Sequence, residues 1–399
     1  MTERTISTTS TTALPWYLAS SSVWLVGMTL QGFLVAWMLA GLLQVSAFEY
    51  GISRALIEIP PMLMLLLGGI WGDRSDSRKL LTITGVLIAI PPIIFAFLVD
   101  YISYWGVVLF SMTIAMMQSL SDPARQSIIS RVTRTDIQRT ITLVTVVTTF
   151  VGLGGFWIGG KLELFGLSNV LILEAGAFLL SIIAIRKLPR LPALRNSRTN
   201  LNNGLRLLWN LPLVRNVIAL NFVSSLFNAG AYIVGMPYIV TQIYEGDAAF
   251  YATTMMWFTV GSIGSNLLLL LIMPLKYPGR LFLIFQLTRI VILVGLWFQP
   301  PSWLFFLLVM MWGVNMGITS TLVRTTVQEL APPSDRTQIL GFLLFSFMVS
   351  SPISALILGA LIASTDPMTA LLPGIPISLF IFGIGLFASG LWNFKSTRQ

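Results

Sequence analysis

Cysteine and histidine are both absent from the 399 residues of this sequence. Without cysteine, the chain can form neither a disulfide nor a thiolate metal site. Without histidine, it lacks the side chain that ordinarily titrates near neutral pH, so any proton coupling would have to use carboxylates. A phosphate-binding loop, a metal-ligand cluster and a nucleophile beside a base are also missing. These absences argue against an enzyme and against an ATPase, and they predict that no cofactor is bound.

Charged residues are scarce as well, at 10% of the chain, whereas soluble domains average roughly 25%. Apolar stretches of about 20 residues, long enough to cross a bilayer, recur from Trp16 almost to the C-terminus. A span in lipid must satisfy its own backbone hydrogen bonds, so each is predicted to be a helix. The first is too long for a signal peptide, which predicts that it is retained. Twelve spans are predicted, at residues 16–43, 51–72, 79–99, 103–125, 139–161, 166–185, 213–241, 250–273, 281–298, 302–323, 338–363 and 369–392.

The basic residues lie in alternate loops between these spans. If the N-terminus is inside, 21 of the 24 lysines and arginines fall on the cytoplasmic side, while Arg54 and Lys161 lie outside and Arg289 lies within a span. A bias of this kind sets the orientation of a membrane protein. The net charge of +9 is therefore explained by topology, and no nucleic-acid partner is predicted. We expect a multi-pass protein of the cell inner membrane with both termini in the cytoplasm.

An internal repeat divides the chain into halves. The stretch from Arg125 to Asp136 recurs as Arg324 to Asp335, at an offset of 199, almost half of the 399 residues. This predicts an all-α membrane protein with twelve transmembrane helices in two pseudo-symmetric six-helix bundles. The predicted segments are a tail at 1–15, a bundle at 16–185, a basic linker at 186–212, a bundle at 213–392 and a tail at 393–399. The linker is expected to lie against anionic headgroups, with ligand binding as the alternative.

A short cluster of glycines and charges lies at the end of the second span and just after it, in the stretch Gly69-Ile-Trp-Gly-Asp73-Arg74-Ser-Asp-Ser-Arg78-Lys79. Glycine allows close approach of a neighbouring helix, and a carboxylate at a membrane boundary can accept hydrogen bonds from a helix N-terminus or an arginine. Such a cluster can latch the two halves in one state. The alternative is that its charges only anchor the topology.

This stretch is similar to the loop 2–3 signature of the major facilitator superfamily, although Asp76 and Ser77 stand where Gly-Arg is common. A second stretch, Asp122-Pro-Ala-Arg125-Gln126, resembles the end of helix 4 in the exporter branch that includes enterobactin exporters and macrolide efflux pumps. The segment Gly152 to Gly160 resembles the glycine-rich helix 5 motif of drug/proton antiporters, but Phe156 replaces their proline. We therefore interpret that segment as a helix-packing surface.

Three ionisable residues fall inside predicted spans, where charge is costly and often functional. Glu58 is either a proton carrier or one half of a local ion pair with Arg54. Glu174 lies in helix 6, which the resemblance makes a peripheral support, so it is either structural and protonated or a second proton-coupling candidate. Arg289 is close enough to the cytoplasmic side for its side chain to be expected to snorkel to the interface.

The resemblance implies that helices 1, 4, 7 and 10 line a central cavity. Their polar and aromatic residues are candidate substrate contacts, although helix–helix hydrogen bonding is an equal alternative for each. The arginines at the inner ends of helices 4 and 10, with the aspartates that follow them, form a candidate cytoplasmic gate or a static topology anchor. The cavity candidates are Gln31, Trp37, Gln118, Asn221, Asn228, Tyr232, Trp312 and Asn315, and the gate candidates are Arg125, Asp136, Arg324 and Asp335.

Amides and aromatic rings in such a cavity suit an amphipathic organic molecule better than a sugar or a small anion. Together with the export that the family resemblance implies, this predicts a monomeric, proton-coupled secondary exporter of a drug or siderophore-like compound that works by alternating access. Its expected partners are the small-molecule substrate, the proton and the lipid bilayer. The alternatives are an uptake carrier or facilitator for a nutrient, and a non-transporting membrane receptor or scaffold.

Overall fold

The computed structural model of the chain describes residues 13–74, 76–132, 137–189, 208–273, 275–332 and 336–396. Within these ranges the chain is helical and contains no strand, which confirms the predicted fold class. Each predicted span coincides with one long helix. The twelve long helices are α1 Ala13–Ala36, α2 Ala47–Arg74, α3 Ser77–Phe97, α4 Tyr104–Val132, α5 Ile137–Gly159, α6 Leu167–Arg186, α7 Pro212–Gly230, α8 Ala248–Ile272, α9 Pro278–Trp297, α10 Ser302–Leu330, α11 Arg336–Ser364 and α12 Gly374–Phe387.

Ten of these helices are long and apolar enough to cross a membrane, counting only described residues. The other two are α2, whose N-terminal half carries Arg54 and Glu58, and α5, which is apolar over Leu143–Gly159. Because so many helices have membrane-crossing length and composition, the chain is a multi-pass membrane protein.

Two of the helices change their hydrogen-bonding pattern toward their C-terminal ends. Helix α1 passes into a π-helix at Trp37–Leu42, and α7 continues through π-helical turns at Ala231–Gly235 and Ile239–Ile243. Such turns re-aim side chains relative to a regular α-helix and are frequent at functional sites. They occur at the C-terminal ends of the first and the seventh of the twelve long helices.

The described residues form two compact units. The first contains residues 13–35 and 59–189, and it pairs α3 with α6 and α1 with α5. Glycines make the α1–α5 contact close: a Cβ on Gly155 would meet the backbone N of Leu30 at 2.7 Å, and Thr29 donates a hydrogen bond to the carbonyl of Gly152 at 2.6 Å. The predicted packing role of the helix 5 glycines is thereby confirmed.

The second unit contains residues 36–58 and 208–396, and it repeats these pairings with α9 against α12 and α7 against α11. Its core also includes the close contact of α8 with α10. Residues 36–58, which the sequence assigns to the first bundle, pack here: Tyr238 donates a hydrogen bond to the carbonyl of Val45 at 2.7 Å, and Gly51 lies against the backbone of Ala355. The bundle boundaries at 16–185 and 213–392 stay a prediction.

Candidate functional site

In the first unit, Gln31 and Glu174 are buried polar side chains that make no hydrogen bond within the described chain. Gln31 is 5% exposed and Glu174 is fully enclosed, and neither the amide atoms of Gln31 nor the carboxyl oxygens of Glu174 have a partner there. Burying an unpartnered amide costs a few kcal/mol and an ionised carboxylate far more. Two such groups in one unit are therefore unusual for residues with only a packing role.

Helix register places these two residues at the same level of the bundle. Helices α1 and α6 contact each other where a Cβ on Gly27 would meet the ring of Phe178 at 2.6 Å, and where Trp24 lies 5.2 Å from that ring between centroids. Successive membrane-crossing helices alternate in direction, so α1 and α6 run antiparallel. One turn further along α1 from Gly27 is Gln31, and one turn back along α6 from Phe178 is Glu174.

Glu58, the other proton-coupling candidate, has a partner. Its Oε1 lies 2.6 Å from a terminal guanidinium nitrogen of Arg54, one turn earlier in α2, and about a fifth of each side chain is exposed. This is the local ion pair that the sequence offered as one of two readings.

In the second unit, Arg289 contradicts the expectation that its side chain snorkels to the interface. It is 2% exposed and lies between three helices, donating hydrogen bonds to Ser224 Oγ at 2.8 Å and to Asn315 Oδ1 at 3.4 Å. Asn315 is oriented by two donations of its own, to the carbonyl of Phe285 at 2.6 Å and to Thr288 Oγ1 at 2.9 Å. Neutral groups on two neighbouring helices hold the guanidinium inside the unit, because hydrogen bonds to them replace those that it would make to water at the interface.

Other cavity candidates of this unit contact side chains on neighbouring helices. Trp312 is fully buried and donates its indole N–H to Asn228 Oδ1 at 2.9 Å. Tyr232 stacks on Phe258 at 4.0 Å between centroids and donates to the sulfur of Met255 at 3.2 Å. For Asn228 and Trp312 the structure shows the helix–helix hydrogen bond that was the alternative to ligand contact.

The remaining cavity candidates differ in their surroundings. Trp37, in the π-helical end of α1, stacks on Tyr251 at 6.1 Å between centroids. Asn221 is buried and its Nδ2 has no partner among the described residues, while Gln118 is only partly buried in α4. The polar candidates thus divide into satisfied helix contacts and unsatisfied groups.

The candidate gate is described only in part, since Asp136 and Asp335 lie outside the described residues. Arg125 is buried, and its guanidinium carbon lies 4.2 Å from the centroid of the Trp24 ring, a cation–π geometry. Arg324, its repeat partner, is exposed. The two arginines therefore occupy different environments.

In the loop 2–3 motif, the backbone of Gly69, Asp73 and Arg74 continues helix α2 to its end. Asp76 caps α3, accepting hydrogen bonds from the backbone N–H groups of Arg78 at 2.9 Å and Lys79 at 3.3 Å. Arg78 also donates to the carbonyl of Leu188, beyond the end of α6, at 2.9 Å. These contacts tie the start of α3 to the end of α6 within the first unit.

Two buried polar residues near these sites were not predicted from the sequence. Ser224 and Gln286 were not identified, and Gln286 is fully buried with neither amide atom partnered among the described residues. The available signal was spacing: Gln286 is one turn before Arg289, and Ser224 is one turn after Asn221. Neutral polar residues in apolar helices are too common for that spacing to identify a site without tertiary contacts.

Comparison with known proteins gives the family. No curated protein matches the sequence significantly. Among solved structures, the nucleoside transporter NupG is 15% identical with a TM-score of 0.72 over 93% of this chain and 99% of that chain. A bacterial homologue of the human lysosomal transporter Spinster, inward-facing and occupied, is 12% identical with a TM-score of 0.70 over 96% and 97%. A D-xylose–proton symporter is 14% identical with a TM-score of 0.68 over 96% and 98%.

Identities this low show the fold alone, and in these three cases it is the fold of small-molecule transporters. The sequence itself matches the Major Facilitator Superfamily over residues 16–355, well over half of the chain. We conclude from the sequence match, with the shared fold in support, that the protein belongs to the Major Facilitator Superfamily.

Proposed function

We propose that this protein is a proton-coupled secondary exporter of an amphipathic small organic molecule. The observation that carries the proposal is Glu174, a fully enclosed carboxyl group with no hydrogen-bond partner among the described residues. A transporter driven by protons needs a group that is neutral in one state and ionised in another. An unpartnered carboxyl group that is enclosed in one state and reached by water or a donor in another is suited to that role.

Gln31 is the residue best placed to stabilise the second state. It lies at the level of Glu174 on the facing helix, and its amide carries two N–H donors that have no partner in the described chain. In that second state, a shift of α1 against α6 is proposed to bring one of these donors to the carboxylate. Gly27 leaves room for the Phe178 ring, so α1 and α6 are in close contact near these two residues. A shift between the helices would therefore change the surroundings of both side chains.

Export, rather than uptake, is supported by the resemblance of Asp122–Gln126 to the exporter branch. The amphipathic character of the substrate is supported by the aromatic surroundings of the candidate cavity residues, which include Trp37 stacked on Tyr251 and Tyr232 stacked on Phe258. We further propose that the protein works as a monomer in the cell inner membrane. An uptake carrier or facilitator is the competing function, and a D-xylose–proton symporter is among the proteins that share the fold.

The test is transport in proteoliposomes under an imposed pH gradient, with a fluorescent amphipathic probe such as ethidium. Wild type is compared with Glu174→Gln, Glu58→Gln and Glu163→Gln. Glutamine keeps the size of the side chain but cannot exchange a proton, and Glu163 is an exposed carboxylate between α5 and α6 that serves as the matched control. We expect gradient-driven flux to fall at least about tenfold in Glu174→Gln, because the gradient no longer drives the cycle.

The controls separate the alternatives. Flux in Glu163→Gln should equal that of wild type, and Glu58→Gln should keep gradient dependence if its ion pair is only structural. Gradient-driven flux retained in Glu174→Gln and lost in Glu58→Gln would move the coupling role to Glu58. Flux indifferent to the gradient in all four proteins would identify a facilitator and reject proton coupling.

A further inference from the structure

The buried guanidinium of Arg289 lacks an acidic partner within the described residues. Among the described residues, an ion pair joins Arg54 to Glu58 in α2. Arg289 instead contacts the neutral groups of Ser224 and Asn315. Its Nε has no partner in the same part of the chain. Enclosing an uncompensated charge costs several kcal/mol, so buried arginines are usually paired with an anion.

A second pair of polar residues lies one helical turn before Ser224 and Arg289 on their respective helices. Helices α7 and α9 run in the same direction, and the Ser224–Arg289 hydrogen bond sets their offset at 65 residues. The same offset pairs Asn221 with Gln286. Both are buried, and Asn221 Nδ2 and both amide atoms of Gln286 have no partner among the described residues.

The unsatisfied groups of Arg289, Asn221 and Gln286 are mostly donors. They are Arg289 Nε, Asn221 Nδ2 and Gln286 Nε2, against one acceptor, Gln286 Oε1. A buried water can accept from two donors but brings no charge. A monovalent anion would accept from all three donors and also balance the guanidinium, so it matches this set better than water does.

Asn315 and Ser224 give this cluster a fixed orientation. Because both amide hydrogens of Asn315 are engaged by Phe285 and Thr288, its oxygen is turned toward Arg289. Ser224 and Asn315 each accept a hydrogen bond from a terminal guanidinium nitrogen, and they leave Nε without a hydrogen-bond partner in the described chain. A guanidinium whose other edge is anchored is preorganised for one anion.

We propose that Asn221, Gln286 and Arg289 form a binding site for a monovalent anion, either chloride or a carboxylate group. The site lies inside the second unit between α7, α9 and α10. If the carboxylate belongs to the transported molecule, the site deepens the proposed function by making the substrate an amphipathic organic acid. The site itself does not depend on the direction of transport or on proton coupling.

The test is anion-dependent thermal stability of the purified, full-length protein. The protein is exchanged into a chloride-free buffer and titrated with sodium chloride or sodium acetate, with total ionic strength held constant by a salt of a bulky anion. We expect a saturable rise in the unfolding temperature with one of these anions, since a ligand that binds the folded state stabilises it by mass action.

The variants assign the effect to the site. Arg289→Gln should abolish the saturable rise, and Gln286→Leu should weaken the apparent affinity roughly tenfold, the loss expected for one buried charge-assisted hydrogen bond. Arg280→Gln is the matched control, because Arg280 lies on the same helix but donates to the carbonyl of Trp392. It should titrate like wild type. If Arg289→Gln does not fold, Gln286→Leu and Asn221→Leu leave the charge in place and carry the test.

Each outcome decides the proposal. A response to chloride alone assigns a resident halide, whereas a response to acetate that longer-chain carboxylates strengthen assigns a substrate carboxylate. No saturable rise in wild type with either anion, or an equal rise in Arg289→Gln, would overturn the site. Because no pH gradient or transported probe is used, this result stands apart from the proteoliposome test of proton-coupled export.

Discussion

Single polar side chains in the apolar helices fall into two groups that are equally buried but differ in their hydrogen bonding. Asn228, Trp312 and Asn315 are buried and hydrogen-bonded to protein atoms. Gln31 and Glu174 are equally buried and have no such partners within the described residues. Since nearly all buried polar groups in native proteins are satisfied, the second group is where a ligand, a proton or a change of state is to be sought.

The Asn228–Trp312 hydrogen bond gives a prediction at this scale. Trp312→Phe removes the indole donor and leaves a buried amide oxygen unsatisfied, so we expect a loss of about 1–3 kcal/mol in stability. The measurement is thermal unfolding of the purified protein, supplemented by a double-mutant cycle with Asn228→Leu. Trp297→Phe is the control, because Trp297 is 43% exposed. Additive effects of Trp312→Phe and Asn228→Leu would show that the hydrogen bond does not stabilise the protein.

At the scale of helices, close packing depends on glycines at particular turns. On α5, the position of a Cβ at Gly155 is already occupied by backbone and side-chain atoms of α1, including the backbone N of Leu30. At the adjacent Gly154, a Cβ would meet only Val26 Cγ2, at 3.8 Å. At Gly155, therefore, any side chain forces the helices apart, whereas at the adjacent Gly154 a methyl group fits.

This contrast predicts opposite outcomes for two neighbouring substitutions. Gly155→Ala should destabilise the protein by about 2 kcal/mol or more, because backbone atoms cannot yield without moving α1. Gly154→Ala should be neutral or slightly stabilising, since alanine favours the helix by roughly 1 kcal/mol over glycine. Both are measured by thermal unfolding in the same detergent. Equal stability of the two variants would contradict the close contact of α1 and α5.

At the scale of the whole molecule, the distribution of basic residues predicts the orientation in the membrane, and the absence of cysteine makes that prediction directly testable. Lys161 follows α5 and is predicted to be outside, whereas Lys187 follows α6 and is predicted to be inside. Both lysines are exposed. They are therefore a matched pair for labelling from one side of the membrane.

In intact cells, a membrane-impermeant maleimide should label Lys161→Cys and leave Lys187→Cys unlabelled, and permeabilised cells should label both. The physical reason is that a membrane excludes the charged reagent from its inner face. The cysteine-free wild type is the background control. Labelling of Lys187→Cys alone would reverse the predicted topology and place both termini outside.

Much of the fold could be predicted because it depends on length and composition. The twelve spans follow from two costs, that of exposing apolar side chains to water and that of exposing unpaired backbone groups to lipid. Each predicted span is found as a helix. Membership of the superfamily was predicted from the residues near Asp73 and is confirmed by the match over residues 16–355, whereas the exporter branch, predicted from the residues near Asp122, stays a prediction. The site could not be predicted to the same extent, since a hydrogen-bond partner lies on another helix that the local sequence does not specify.

Sequence alone therefore determined the helical class, the repeat and the membrane character of this protein, because these follow from hydrophobicity and charge summed over many residues. Tertiary structure decided which polar side chains are satisfied. It placed Glu58 beside Arg54 and held Arg289 between Ser224 and Asn315, and it enclosed Glu174 with no partner among the residues that the structure describes. The physical reason is that the free energy of a buried polar group depends on its few nearest atoms, and those atoms come from distant parts of the chain.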